Sequence, residues 1–369
     1  MTIFIGLSLI HTFIILWLRY HWSRIPLVKE LKTPISTFTV LIPIRNEEKN
    51  IYNLLADIAV QSYPRSLFEV IVVDDHSEDG TELVIEFVLK EFDLDLKYIK
   101  LETESGKKAA ITLGVGMAKN EFILTTDGDC RVGKDWVAAF ASGYVEKKIV
   151  MLAGPVCMEG KSLIANLQSV EFASLIGFGA AAIKSGNPST CNGANMSYKK
   201  EVFEAVNGYV GNEQIPSGDD EFLLQKLHAN FPGQLGFLKN QSAIVNTPAK
   251  EYLSDLINQR IRWSSKWKFH KNWFARFSTV YVFTDFALYL VMAMLVLFGM
   301  ASLLQFLIII SLRYLVDIFY LLSITNFFKI RPFQVICLGL ALQIFYPLFV
   351  SLLGIASIFT GYSWKGRQY

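Results

Sequence analysis

Apolar residues are spread unevenly along this chain, and their spacing predicts different elements in different stretches. Residues 1–20 contain the run MTIFIGLSLIHTFIILWL, which is the length that crosses a hydrocarbon core. Arg19, His21, Arg24, Lys29 and Lys32 follow it, so the charge bias predicts a retained membrane helix with the next residues in the cytosol. A secretory leader would carry its positive charges before the apolar run and a small-residue cleavage site after it, and the sequence has neither. Residues 279–363 are again almost continuously apolar, broken by Arg313, Asp317 and the Lys329-Ile330-Arg331-Pro332 punctuation. Three spans are the simplest partition, although the last run contains Pro347 and reads either as one kinked span or as a tight hairpin. The number of crossings, and with it the side of Lys365 and Arg367, stays open.

Between these regions, residues 35–250 have the spacing of a soluble α/β segment. FTVLIPI, FEVIVVDD, LKYIKL and FILTTD are short runs rich in β-branched and aromatic residues, and the helical patterns Glu48 to Ile58 and Thr81 to Lys90 separate the first three. Such alternation predicts a mixed, mostly parallel sheet flanked by helices. Residues 251–275 read as an amphipathic interfacial helix. Leu253, Leu256 and Ile257 form its apolar face, and Arg260, Lys266, Lys268 and Lys271 offer charge to anionic lipid. The expected architecture is therefore an α/β domain plus transmembrane α-helices, one N-terminal and about three C-terminal.

Composition agrees with a membrane protein: 52% of the 369 residues are hydrophobic and the mean hydropathy is +0.35. A net charge of +2 gives no electrostatic reason to expect nucleic acid as a partner. The four cysteines lack CxxC spacing, which fits reduced thiols in a cytosolic domain better than a zinc or disulfide framework.

Candidate chemistry lies at the strand ends, where open α/β sheets bind ligands. Asp74 and Asp75 follow VIVV, and Asp127 and Asp129 follow ILTT. An Asp-Gly dipeptide alone is an ordinary turn. At a strand end, however, two carboxylates spaced by one residue can address one hard cation, Mg²⁺ or Mn²⁺, whose remaining ligands are phosphate oxygens and water. Asp219 and Asp220 precede a helical pattern, where aspartate is most simply a cap. Gln259, Arg262 and Trp263 share one helical face at i, i+3 and i+4, presenting an amide, a guanidinium and an indole to one ligand. No GxxxxGK[ST] motif is present, and no GxGxxG opens a helix after the first strand, which argues against a P-loop ATPase and a dinucleotide oxidoreductase.

Taken in order, P-x-R-N-E (Pro43 to Glu47), D-D-x-S (Asp74 to Ser77), G-K-K-x-A (Gly106 to Ala110), D-G-D, G-D-D and Q-R-x-R-W resemble the membrane-embedded family-2 inverting glycosyltransferases. That family includes cellulose, chitin, hyaluronan and poly-N-acetylglucosamine synthases and ceramide glucosyltransferases. The resemblance implies a GT-A type fold and a nucleotide-sugar donor, a UDP-sugar. It further implies an Mg²⁺ or Mn²⁺ cofactor, a lipid or membrane-associated glycan acceptor, and a bacterial inner (plasma) membrane location with the catalytic domain in the cytosol. Asp74 and Asp75 would hold the uridine, with Pro43, Arg45, Glu47 and Lys107 lining the nucleotide pocket. Asp127 and Asp129 would be the metal-binding pair, with Asp129 the direct ligand. Asp220 would be the general base, beside Asp219 where the family more usually has glutamate. Gln259, Arg262 and Trp263 would embrace the diphosphate and mark the acceptor entrance.

The chemistry these assignments imply is displacement of UDP from an anomeric carbon. Arg262 and the metal stabilise charge on the leaving diphosphate while Asp220 takes the acceptor proton. Two alternatives stay open. A processive polysaccharide synthase would share this chemistry, but the larger synthases' second N-terminal span and extra cytosolic module are not evident, so extrusion of a long polymer is not expected. A nucleotide-sugar-binding transporter or channel without turnover would draw support from Arg313 and Asp317 at membrane depth. Their i, i+4 spacing also predicts an ion pair internal to one helix.

Overall fold

A computed structural model describes residues 2–29, 36–145, 148–213, 215, 218–266, 272–361, 363–365 and 367–368. Lys32, expected to flank the first membrane helix, and Lys268 and Lys271, expected as charges of the interfacial helix, lie outside the described residues. The first half of the chain contains α1 (Thr2–Ser23), β1 (Phe38–Ile44), α2 (Ile51–Ala59), β2 (Phe68–Asp74), α3 (Thr81–Glu91), β3 (Leu96–Lys100), α4 (Lys107–Met117), β4 (Phe122–Thr125), β5 (Arg131–Val132), α5 (Trp136–Gly143), β6 (Met151–Ala153), β7 (Val156–Glu159) and α6 (Leu163–Lys184). After these come β8 (Met196–Lys199), α7 (Lys200–Ala205), α8 (Asp219–Asn230), β9 (Leu235–Phe237), β10 (Val245–Pro248), α9 (Leu253–Ser264), α10 (Trp273–Leu297), α11 (Leu303–Thr325) and α12 (Pro332–Phe359).

The chain divides into two compact units, each discontinuous in sequence. One comprises Ile25–Cys157 and Pro188–Pro248, the other Met1–Arg24, Met158–Asn187 and Ala249–Tyr369. The stretch 35–250, read from sequence as one α/β segment, thus contains an excursion, Met158–Asn187, that belongs to the helical unit.

In the α/β unit the main sheet has the order β3-β2-β1-β4-β8-β6-β9. The pairs β1–β2, β2–β3, β1–β4 and β6–β9 are parallel, whereas β8 runs antiparallel to both β4 and β6. Strands β1 and β2 are buried at every position, which explains why they read as continuous apolar runs rather than as alternating ones. Helix α2 presents Ile51, Leu54, Leu55 and Ile58 at i, i+3, i+4 and i+7, all fully buried in the core with Phe38, Val40 and Ile42. Each such side chain contributes roughly 1.5–3 kcal/mol relative to an exposed one. Because β2 and β3 lie on one side of β1 and β4 on the other, the topological switch falls between β1 and β4, and sheets of this kind bind ligands just outside the carboxyl ends of the strands at that point.

Among the described residues the helical unit holds five helices long and apolar enough to cross a membrane: Ile3–Ser23, Leu163–Lys184, Trp273–Leu297, Leu303–Thr325 and Pro332–Phe359. The first and the last three match the sequence expectation. The remaining one, α6, escaped it because Gln168, Glu171 and its many small residues dilute the apolar signal. Those small residues serve close packing: a Cβ on Gly177 would lie 2.1 Å from Ile324 Cδ1 on α11. Helix α12 runs unbroken through Pro347, so the last apolar run is one helix and the hairpin alternative falls away.

The expected Arg313–Asp317 pair does not form. The Arg313 guanidinium grips both carboxylate oxygens of Asp285 on α10, one of them at 3.0 Å, and donates to His11 Nδ1 on α1 at 3.1 Å. His11 in turn lies 2.8 Å from Asp317 Oδ1 through Nε2. Because a guanidinium can only donate, Nδ1 must accept, which places the imidazole proton on Nε2, toward Asp317. The polar residues of three helices are thereby joined into one chain, and that is the ordinary fate of ionisable groups in apolar surroundings.

Candidate active site

In the α/β unit the loops after β1 and β2 are zipped together by side chain to backbone bonds. Arg45 donates to the carbonyls of Asp75 (2.8 Å) and His76 (2.6 Å) and to Glu78 Oε1 (3.0 Å). Asn46 bonds across the same seam in both directions: its amide donates to Ser77 Oγ at 2.9 Å, and its Oδ1 accepts from Glu78 N at 2.8 Å. Asn46 and His76 hold φ of +54° and +59°, which places strained backbone on both loops. Asp74, 2% exposed, takes Ser77 N and Oγ on one oxygen and Tyr98 Oη, at 2.7 Å, on the other. Burial and this bond to Asp74 push the Tyr98 phenol well above its ordinary range. Asp75, 4% exposed, sits beside His76, whose Nδ1 is 3.2 Å from its Oδ1. Arg45 and Asp74 thus brace the loop that presents Asp75. Pro43 pairs with Val73 inside the sheet, one register position before the last pair, Ile44 with Asp74.

The D-G-D loop follows β4, and its glycine is there for space. A Cβ on Gly128 would lie 2.9 Å from both Glu47 Cγ and Ile44 Cγ2, so the β1 loop packs directly on the turn between Asp127 and Asp129. Glu47, 3% exposed, is oriented by Asn50 Nδ2, which donates to its Oε2 at 2.8 Å. Asp129 adjoins buried Cys130, whose thiol is pushed up by burial and by Asp129 and Asp127.

Lys107, at the start of α4, ties these loops to the second acidic motif. Its Nζ is 2.6 Å from Asp127 Oδ1 and 3.5 Å from Asp219 Oδ2. Burial opposes its charge, but Asp127, Asp219 and Asp220 outweigh burial and hold the ammonium's pKa above its ordinary value. Lys108, next in sequence, does a different job: it donates to the Asn212 and Ile215 carbonyls and so anchors the segment leading to Asp219.

Helix α8 begins at Asp219, after Gly218 in the left-handed region at φ +80°. Neither aspartate is the N-cap. Asp220 instead accepts the Gly193 amide at 3.0 Å on Oδ2 and the Glu221 amide at 2.8 Å on Oδ1. Gly193 lies in the loop CNGAN before β8, which sequence reasoning passed over. A Cβ there would be 3.1 Å from Asp219 Oδ2 and 3.3 Å from Lys107 Nζ, so this loop closes on the cluster at backbone distance. Buried Asn195 fixes the loop by donating to the Pro155 and Ala243 carbonyls and accepting from Trp136 Nε1. The run of small and polar residues between α6 and β8 was the available signal.

The α/β unit therefore brings Glu47, Lys107, Asp127, Asp129, Asp219 and Asp220 together around strand ends. Among the described residues no three His, Cys, Asp or Glu side chains form a ready metal cage. The donor set does suit Mg²⁺ or Mn²⁺, because such ions take one or two carboxylates and complete their shell with phosphate oxygens.

In the helical unit, Gln259, Arg262 and Trp263 lie on α9 and are partly buried. Arg260, expected to face lipid, is 7% exposed and paired with Glu171 of α6.

Residues 39–206 match the Glycosyl transferase family 2 model. The chain carries a family 2 glycosyltransferase domain. Poly-β-1,6-N-acetyl-D-glucosamine synthase of Staphylococcus epidermidis is 26% identical to it over 247 residues, which is 66% of this chain and 57% of that protein. The chain thus spans somewhat over half the length of that relative. Poly(ribitol-phosphate) β-N-acetylglucosaminyltransferase TarS of Staphylococcus aureus is 38% identical over 99 residues, 27% of this chain and 17% of that protein. In fold, the family 2 domain and its helices superpose on the mannosyltransferase PcManGT of Pyrobaculum calidifontis, solved with GDP-Man and Mn²⁺, with a TM-score of 0.61 at 18% identity over 97% of both chains. The family 2 domain is thus GT-A-like, an α/β fold with a mostly parallel central sheet.

Proposed function

We propose that this chain is a membrane-bound inverting glycosyltransferase that moves a sugar from a UDP-sugar to a lipid or membrane-associated glycan, with its catalytic domain in the cytosol. The observation that carries the proposal is the convergence of Lys107, Asp127 and Asp219 with the Gly193 amide on Asp220. A carboxylate held by backbone amides next to a cation-binding carboxylate is what base-assisted displacement of a diphosphate requires. The names of both curated relatives refer to N-acetylglucosamine, which favours a UDP-linked amino sugar as donor.

In this reading Asp220 takes the proton of the acceptor hydroxyl and Asp219 holds Lys107 in place. Asp75 recognises the uridine, with Asp74, Pro43, Arg45 and Glu47 shaping its pocket. Asp127 and Asp129 would hold Mg²⁺ or Mn²⁺, which when bound neutralises charge on the diphosphate. Arg262 acts on the same leaving group through its planar fork, with Gln259 beside it and Trp263 at the acceptor entrance. The five apolar helices keep the protein at the membrane, where a lipid acceptor resides.

The test is to incubate membranes containing the protein with a panel of labelled nucleotide sugars and to analyse the products. Transfer from a UDP-sugar that disappears in Asp220→Asn supports the reading. Nucleotide-sugar binding with no product from any donor, in membranes of matching composition, refutes turnover and favours a binding or transport role.

A further inference from the structure

In the helical unit, Arg260 follows Gln259 and precedes Arg262, yet it is buried rather than turned to lipid, and its Nη1 lies 3.5 Å from Gln259 Oε1 on the shared face of its neighbours. Its guanidinium stacks over the Trp263 indole at 4.3 Å from the ring centroid, as the i, i+3 spacing allows. One terminal nitrogen donates to Glu171 Oε2 on α6. The other Glu171 oxygen accepts the Tyr346 hydroxyl of α12 at 2.7 Å. Phe172, the residue after Glu171, places its ring 5.8 Å from that of Trp263. Adjacent residues of α6 therefore hold the two members of one stack. Glu171 and Arg260 are only 6% and 7% exposed.

A buried ion pair is a poor stabiliser, since two apolar side chains of similar volume often do as well or better. What it does provide is a fixed orientation. The Arg260 Nε has no partner, so the guanidinium is held by its ends and by the indole it covers. Rotation of Trp263 would strip the guanidinium of its aromatic face, and loss of Glu171 would leave a buried cation uncompensated.

We infer that Glu171 is a positioning residue for the Q-R-x-R-W segment, acting through Arg260 on Trp263, with Tyr346 orienting Glu171 in turn. This inference rests on the proposed role of that segment in sugar transfer. Position two of the motif then serves orientation, while positions one, four and five serve the ligand.

The experiment uses the full-length protein in detergent, labelled with 5-fluorotryptophan, with the Trp263 ¹⁹F resonance assigned by its loss in Trp263→Phe. Glu171→Gln and Arg260→Lys should each shift or split that resonance and leave the others in place. Tyr346→Phe, which removes one hydroxyl and disturbs packing least, should move it in the same direction by less. With UDP-N-acetylglucosamine as the probe donor in native membranes, both charge variants should lower kcat on the order of 10- to 100-fold while the donor KM stays within about twofold, as expected for misplacement rather than lost binding. The double variant should be no worse than the poorer single one, because both break the same chain. A Trp263 resonance unmoved in Tyr346→Phe and in whichever charge variant folds overturns the inference. A resonance that moves with kcat unchanged upholds the positioning of Trp263 and counts instead against the motif's role in transfer.

Discussion

Asp220→Asn is the perturbation that separates a base from a loop tether, and the structure sets its magnitude. The native carboxylate accepts the Gly193 amide on one oxygen and the Glu221 amide on the other, at 3.0 and 2.8 Å. An asparagine has a single acceptor oxygen, so one amide must face its NH₂ group. Losing one such bond while leaving its donor unsatisfied costs about 1–3 kcal/mol. For a unit of this size that lowers the melting midpoint by roughly 2–4 °C per kcal/mol. Asparagine is therefore not the silent replacement that a simple helix cap would make it. The chemical effect is of another order: removing a general base lowers transfer about 100-fold or more.

The two effects separate cleanly on one detergent-purified sample. Calorimetry with the UDP-sugar gives the fraction of protein competent to bind, and product formation gives the rate. A 100-fold loss through unfolding alone would need about 99% of the protein unfolded, so near-stoichiometric binding excludes that explanation. Preserved binding with transfer reduced 100-fold is the expected result. Transfer at the wild-type rate in a variant with a lowered melting point would show that Asp220 only ties α8 to the Gly193 loop. Loss of binding would move it into the donor site.

Three further outcomes follow from the geometry. Gly128→Ala should destabilise the α/β unit by about 1–3 kcal/mol, because its methyl must displace Glu47 and Ile44 from 2.9 Å; an unchanged melting midpoint with unchanged turnover would show that the turn yields freely. Asp129→Ala should abolish metal-stimulated turnover and weaken UDP-sugar binding, and wild-type turnover persisting in excess chelator would remove the metal from the proposal. Glu69 is pulled below its usual 4.5: burial opposes ionisation, but the Lys119 amide, Thr39 and Lys97 overcome it. Its contribution is therefore complete above about pH 4.5 and is lost as pH falls through the lower folded value, since the unfolded chain binds the proton first. Unfolding midpoints of Glu69→Gln should accordingly depend less on pH below 4.5 than those of wild type, and parallel profiles would refute this.

Sequence reading worked where the signal is local. The strands FTVLIPI and FEVIVVDD sit where their β-branched runs put them, because a fully buried parallel strand needs apolar residues on both faces. The long apolar helices at the two ends of the chain were equally legible, since hydrocarbon thickness fixes their length, whereas α6 was not. The acidic motifs could be found, but their individual duties could not. Nothing in D-D-x-S says that Asp74 engages Ser77 and Tyr98 while Asp75 does not, because that division depends on a tyrosine one strand away. The Gly193 loop was missed for the same reason: it contributes a backbone amide, which has no side-chain signature.

The two misread arginines show why charge spacing is a weak guide inside a helical bundle. Arg313 has a carboxylate at i+4, yet it pairs with Asp285 on another helix. An i, i+4 partner lies on the same helix surface and reaches a long guanidinium from one side. A carboxylate facing it from a neighbouring helix can meet both terminal nitrogens in a planar fork, and the charge-assisted bidentate contact is the stronger one. Arg260 also pairs at a distance, though through one terminal nitrogen rather than a fork: an amphipathic pattern assigned it to the lipid surface, and Glu171, 89 residues away in sequence, holds it inside. In water a lysine or arginine without a local partner is simply solvated. Among apolar helices that option is missing, so each guanidinium pairs with a distant carboxylate, and the residue it pairs with identifies the helix that must be held in place.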